Sequence, residues 1–432
     1  MRASFWLRLG AAVLAVFASG SAWAQAQKDE KDLKQLAGDK DKALQLQVNN
    51  AVLKGVEGLK SKQNPNGTWT CQWANFAAPH KYPMGETAMA LLALLKSGES
   101  PEAEYIKKGF AWLRTQPLQK TYEVSVLLMA LEALYSPKVP PPIDPKELTA
   151  VAKQKIPVSP ADLDWMKQCV EFLLRVRVSS QRMFGEDTGA AQAYKDIWHY
   201  PMSTGDHSNT QFALLGLKSA SKCGIQIPEE VWIYALKHFI EVQEKDGPKI
   251  IRMQLLEDRE HGYVSYKPMT GKPDTARGWA YGGTSYPKAG ATDDVYATTG
   301  SMTSVGVSSI AIALAELGPK CPPPLKDMGE QAIWDGLAWL ETHWKVDTNP
   351  EHPQKRWVFY YLYGVERTGV LTWQRSFGKH DWYREGAEWL IANQGGGGAW
   401  EDPVCGGPVN STCFALLFLT RATVPGRSVI TR

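Results

Sequence analysis

An all-α chain in which six helix pairs stack around a closed ring is what this sequence predicts, and three observations lead there. Segments with helical periodicity come in pairs, a polar-faced helix followed by a far more apolar one. The pairing recurs six times between residues 45 and 425. At opposite ends of that span, two copies share one spacing of Gly, Leu, Gln, Gly and Trp.

The chain opens with a segment that predicts export. Arg2 and Arg8 flank a positive start, Leu9 to Gly20 is apolar and uncharged, and Ala22-Trp23-Ala24 supplies a small-x-small cleavage pattern, so residues 1–24 read as a secretory signal. The apolar run is short for a membrane span, and the alternative it leaves is an N-terminal anchor. Residues 25–44 form a charged leader poor in apolar side chains, excluded from the expected fold, and 426–432 form a tail. The protein is accordingly expected to be periplasmic or secreted, with no stable transmembrane span once the signal is cut.

Within the ring, the apolar helices are expected to start near Met84, Tyr122, Ser208, Ser301, Arg356 and Asn410. Ser, Thr, Asn, Asp or Gly stands near each start, where a side-chain oxygen can satisfy the free amides of a first turn. Their polar-faced partners precede them at 46–63, 101–116, 160–177, 228–243, 326–344 and 380–394. An apolar helix needs cover on several sides, which one partner cannot supply and a ring of neighbours can. The clearest copies of the shared spacing are Gly55, Leu59, Gln63, Gly67 and Trp69, and Gly386, Leu390, Gln394, Gly398 and Trp400, a constant 331 residues apart. Degenerate copies lie at Gly109 with Trp112, Leu113 and Gln116, at Phe239 with Gln243, and at Gly336 with Trp339, Leu340 and Trp344. The glutamine can bond backbone at the neighbouring turn while the tryptophan packs over it, so Gln63, Trp69, Gln394 and Trp400 are expected to clamp one repeat to another. Insertions interrupt the pattern at 138–160, 182–205 and 245–298. The last holds Gly278-Trp279-Ala280-Tyr281-Gly282-Gly283 and is expected to form a hairpin over one mouth.

The spacing Gly-x3-Leu-x3-Gln-x3-Gly-x-Trp resembles the QW motif of squalene and hopene cyclases, whose superfamily also includes the β subunits of protein prenyltransferases. The resemblance spans residues 45–425, with strong motifs at both ends and degenerate ones between. It implies an (α/α)6 toroid, with inner helices walling a central cavity, outer helices around them and loops at the mouth. Fold and chemistry are separable, so activity has to be read from site residues. Cyclases of this kind use an Asp-x-Asp-Asp acid motif, and the nearest match here, Ala291-Thr292-Asp293-Asp294, lacks the first aspartate. The resemblance would make Asp293 the proton donor; the alternative is a polar loop pair capping a turn. Prenyltransferases hold zinc with Asp, Cys and His, whereas Asp402, Cys405 and Cys413 have no matching histidine after them. With both sets incomplete, no cofactor and no metal is expected, and Cys405 and Cys413 read as a disulfide or as two thiols.

A third constellation comes from the starts of the apolar helices, which face one mouth of a ring. His80, Tyr82 and Glu86 open the first, Glu123 the second, His199, Asp206, His207 and Asn209 the third, and Tyr360, Tyr361, Glu366 and Arg367 lie in the fifth. His80, Tyr82, Glu86, His199, Tyr360, Tyr361 and Arg367 are the candidate ligand contacts, while Asp206 and His207 join Asp293 and Asp294 as candidate acids or bases. Such a set suits acid–base work on a glycan, and equally a hydrogen-bonded belt of caps and ion pairs.

Composition narrows the partners. With 48 basic against 45 acidic residues, a net charge of +3 and no long basic stripe, nucleic acid is not expected as the main partner. Seventeen tryptophans and sixteen tyrosines can fill a large core or line a pocket for apolar or sugar ligands. Cys71, Cys169, Cys223 and Cys321 lack CxxC spacing and read as small buried hydrophobes. The chain is therefore expected to be a non-cyclising toroid that binds an apolar isoprenoid-like ligand, a glycan or an envelope protein. The alternatives are a terpenoid cyclase or prenyltransferase-type enzyme, and a glycan-acting lyase or hydrolase on the same toroid.

Overall fold

The structure, a computed structural model, describes residues 40–73, 82–136, 155–177, 197–198, 206–258, 263–282, 297–354 and 356–421. The expected signal, the leader up to residue 39, most of the first two insertions and the tail lie outside the described residues. Those that are described form an all-α chain with four short strands. The helices are α1 Lys40–Lys60, α2 Pro83–Lys96, α3 Glu104–Leu113, α4 Thr121–Tyr135, α5 Pro160–Val176, α6 His207–Lys222, α7 Glu229–Glu241, α8 Gly300–Leu317, α9 Pro323–Thr342, α10 Val358–Leu371, α11 Trp382–Ala392 and α12 Gly407–Leu419. Between α7 and α8 stand β1 Lys249–Ile250, β2 Met253–Asp258, β3 Tyr263–Pro268 and β4 Asp274–Thr275.

Odd-numbered helices bury a stripe, and even-numbered ones are buried nearly all round. In α5 the buried set is Asp162, Met166, Cys169, Val170, Phe172 and Leu173, one face at helical spacing. In α2 every residue from Met84 to Leu95 is buried. Packing explains the difference. α2 packs on α4, α4 on α6, α6 on α8, α8 on α10, α10 on α12, and α12 on α2. The odd helices cover the remaining faces: α3 lies on α2, α5 on α4 and α6, α7 and α9 on α8, α11 on α10 and α12, and α1 on α11 and α12. Ends meet ends, since Tyr82 touches Tyr122 at the starts of α2 and α4, Lys96 bonds Glu132 near their ends, and Ser221 bonds Glu316 near the ends of α6 and α8. One stretch, Gly300–Lys320, is long and apolar enough to cross a membrane, and 89% of its apolar window is buried inside the protein.

Capping departs from expectation. Asp206 caps α6 through the amides of Ser208 and Asn209, and Thr299 caps α8 through that of Met302. α2, α4, α10 and α12 have no side-chain cap. In α2 and α12 a proline in the first turn removes one of the amides that would need capping. α10 starts two residues past the expected Arg356, behind Trp357 at φ 69°.

At both ends of the chain the repeated spacing ties one copy to the next. Gln63 donates to the carbonyl oxygens of Gly67 (3.0 Å) and of Tyr105 in α3 (2.9 Å). Gln394 donates in the same way to Gly398 (2.7 Å) and to Ala51 in α1 (2.8 Å), so the last copy bonds to the first. Gly398 stands at φ 82°, and a Cβ there would lie 2.1 Å from the Lys54 carbonyl oxygen. The indoles reach back along their own helices, Trp69 to the Leu59 carbonyl (2.8 Å) and Trp400 to that of Leu390 (2.7 Å). Their amides meet the hydroxyls of Thr87 and Thr412 on the following helix.

Two further tryptophans repeat this geometry across the insertions. Trp279 donates to the Phe239 carbonyl (2.7 Å) with its amide on Thr303, while Gln243 reaches Arg277 and Ala332. Trp198 donates to the Leu173 carbonyl (2.9 Å) with its amide on Thr210. The second and third insertions therefore enter between an odd-numbered helix, α5 or α7, and its tryptophan. The third insertion holds a hairpin as expected, but Trp279 is not part of it, being fully buried as the clamp residue. The hairpin is β2–β3, with Met253 opposite Pro268 and Asp258 opposite Tyr263. The β1–β4 pair is fastened to α9 by Asp335, which accepts from the Thr275 amide (2.8 Å) and from Arg277 (2.5 Å).

Candidate functional site

The starts of α2, α4 and α6 bring several of the expected residues together. Tyr82 meets the Tyr122 ring edge to face at 6.0 Å, and the Lys120 ammonium lies 4.6 Å from the Tyr82 ring centre. Glu86 is buried and accepts the Cys71 amide (2.9 Å) and the Trp73 indole (3.1 Å). Burial raises its carboxyl above the usual range, against the pull of those two donors. Ser411 accepts the Asp402 amide two residues after Trp400, as Glu86 does two residues after Trp69. Glu86 thus completes the turn after a clamp tryptophan, with both oxygens engaged. Glu123 is also raised by burial, opposed by Lys120 at 3.9 Å.

Asp206 and His207 point to structural work. One Asp206 oxygen accepts the Ser208 amide and hydroxyl and the Asn209 amide, and the other accepts the Asn209 side chain (2.7 Å) and the Tyr281 hydroxyl (2.8 Å). His207 turns towards α7. Its Nδ1 lies 2.6 Å from the Ala280 carbonyl oxygen and its Nε2 lies 3.0 Å from His238 Nε2. With Nδ1 donating to the carbonyl, a neutral His207 accepts at Nε2 the Nε2 proton of His238. Burial lowers the basicity of both, and in His238 the neighbouring His207 lowers it further.

The centre is built from α6, α10 and α12. Neither α6 nor α10 packs directly on the other in the series, yet their side chains meet. Phe212 stacks on Tyr360 at 6.2 Å, and Gln211 Oε1 accepts from the Tyr360 hydroxyl (3.4 Å) and from Arg367 Nη2 (2.8 Å). The Gln211 amide donates to Ser308 of α8 (2.5 Å). Rings continue from Tyr122 through Phe212 and Tyr360 to Phe414 and Tyr363. The Arg367 guanidinium, fully buried, lies 3.8 Å from the centre of the Tyr363 ring. Its Nε and Nη1 have no hydrogen-bond partner among the described residues. Burial pushes the Tyr360 hydroxyl up, so it stays protonated at neutral pH. Sequence reasoning named Tyr360 and Arg367 but missed Phe212, Tyr363, Phe414 and the bonding role of Gln211. The available signal was a glutamine directly before the apolar run Phe212-Ala213-Leu214-Leu215.

Other expected residues lie apart. Tyr361 faces Trp344, away from Tyr360. Asp402 caps its own turn through the Val404 amide (2.9 Å), and all six cysteines are buried thiols, including Cys405 and Cys413. No group of three metal-binding side chains occurs among the described residues. His80, His199, Asp293 and Asp294 lie outside them. No protein-family model matches this chain, and no curated protein matches it.

Proposed function

We propose that this protein is an exported (α/α)6 toroid, related to terpenoid cyclases and prenyltransferase β subunits, that binds a ligand or partner and does not cyclise. The toroid reading is supported by the order of packing, in which α12 returns to α2, and by the glutamine bonds that carry copy six on to copy one. The observation that carries the functional reading is Arg367. An aromatic centre suits a cyclase because π faces steady a travelling carbocation. Here the Tyr363 ring holds the protein's own permanent cation, which Gln211 joins to Tyr360 and so to the Tyr360–Phe212 stack. Two positive charges about 4 Å apart at an effective dielectric of 20 repel by about 4 kcal/mol, so a carbocation beside Arg367 is disfavoured. The groups bonded to it are the Gln211 amide and, through that amide, the Tyr360 hydroxyl, neither of which is acidic enough to protonate an alkene.

The reading is tested by incubating the purified mature protein with squalene and with shorter isoprenoid diphosphates and analysing extracts by gas chromatography and mass spectrometry. No cyclic product is expected. A cyclic product that disappears in Asp293→Asn overturns the proposal and makes Asp293 the acid.

A further inference from the structure

Arg367 is fully buried, yet among the described residues nothing that bonds it carries a charge. Gln211 Oε1 accepts from its Nη2 at 2.8 Å, the Tyr363 ring faces the guanidinium at 3.8 Å, and Nε and Nη1 meet no acceptor. Burial raises the Tyr360 and Tyr363 hydroxyls and Arg367 opposes it; Asp206 adds to the rise in Tyr360, and Glu366 and Glu132 to that in Tyr363. Each of those acids is engaged elsewhere. The Asp206 oxygens hold the start of α6 and the Tyr281 hydroxyl, and Glu366 has an interaction of its own. Glu132 belongs to a charged depression at the ends of α2, α4 and α6 remote from Tyr82, where it pairs with Lys96 at 3.4 Å and with Lys222 at 3.7 Å. On α8, Ser304 is also fully buried, and its hydroxyl has no partner among the described residues. The two groups border one spot, since a Cβ at Gly364 would lie 3.5 Å from Ser304 Oγ and 3.9 Å from Arg367 Nη2. A glycine there leaves them facing bare backbone. Donors without acceptors around a buried cation are completed by an anion, whereas water would satisfy the N–H groups and leave the charge unbalanced.

We propose that the centre is a binding site for a compact monoanion, a halide ion or the carboxylate head of an apolar acid, held by the Arg367 guanidinium and the Ser304 hydroxyl. One negative charge balances the one cation, and a guanidinium keeps its charge and bonds carboxylates well. Tyr363, Tyr360 and Phe212 continue from the guanidinium as a run of rings, which gives an organic acid apolar neighbours. The site supplies the class of ligand for the ligand-binding function proposed above and rests on it. Cyclic products and anion binding are separate readouts, so either can fail alone.

The experiment follows chloride by the broadening of its NMR line and octanoate by isothermal titration, both on the purified protein in chloride-free buffer. One site per chain is expected, weakened at least about ten-fold in Arg367→Met and about three-fold or more in Ser304→Ala. Arg367→Lys, which keeps the charge, should bind better than Arg367→Met. Lys167→Met, which changes an exposed lysine of α5, should bind as the parent does. Binding of octanoate identifies a carboxylate head as the natural source, and binding of chloride alone identifies the free ion. Circular dichroism melts establish that each variant is folded, and Ser304→Ala, which breaks no side-chain bond, keeps the test open if Arg367→Met does not fold. Binding of neither probe, or binding undiminished in Arg367→Met or in Ser304→Ala, overturns the proposal.

Discussion

Glu132 is a single side chain whose environment sets a measurable pH dependence. Its carboxyl is held at about 2 against 4.5 in an unconstrained chain, by the two ammoniums that outweigh its burial. A folded-state value below the unfolded one means stability that is present above pH 4.5 and lost as the pH falls towards 2. Glu132→Gln should therefore destabilise the protein at pH 7 by about 3 kcal/mol, with the difference from the parent shrinking at lower pH. Urea unfolding of both proteins at pH 7 and at pH 3 measures it. A gap that is the same at both values would show that the ion pairs do not set this carboxyl.

Helices and their joints were legible in the sequence to very different degrees. The two regular copies of the Gly-to-Trp spacing stood out because Gln63 and Trp69, like Gln394 and Trp400, lie six residues apart. Trp198 and Trp279 make the same bonds but are separated from their helices by insertions, so no fixed spacing links them to Leu173 and Phe239. The geometry survives because each bond runs from an indole to a carbonyl across space, indifferent to the length of chain between. Trp198→Ala and Trp279→Ala are each expected to cost about 3–5 kcal/mol, matching Trp69→Ala and Trp400→Ala, since all four rings are fully buried. Thermal melts of the four variants measure this, and an unchanged midpoint for Trp279→Ala would refute its clamp role and free that tryptophan for binding. The site was less legible. Tyr360 and Arg367 could be named from their place in an apolar helix, but not that Arg367 would meet Gln211, 156 positions earlier. The lysine end was invisible for the same reason, because Lys96 and Lys222, distant in sequence, meet at Glu132.

For the molecule as a whole, export is the expectation that lies outside the described residues. Mass spectrometry of the protein from its native host should find a chain beginning at Gln25, and one beginning at Met1 would make the first segment an anchor. The centre bears on what the protein can do: residues from helices that do not neighbour one another meet there, and the charged depression lies at one end instead. The seam between the last copy and the first has a consequence of its own. Gln394 bonds Ala51 as Gln63 bonds Tyr105, so the joint where the polypeptide happens to start and stop is built like a joint inside it. Where the backbone is cut should then matter little. A circular permutant that links residue 421 to residue 40 by a flexible spacer and opens at Gly318–Lys320, the turn between α8 and α9, should keep its helical spectrum and melt cooperatively. Loss of helix in that permutant would show that the two ends, unlike the other joints, hold something the fold cannot do without.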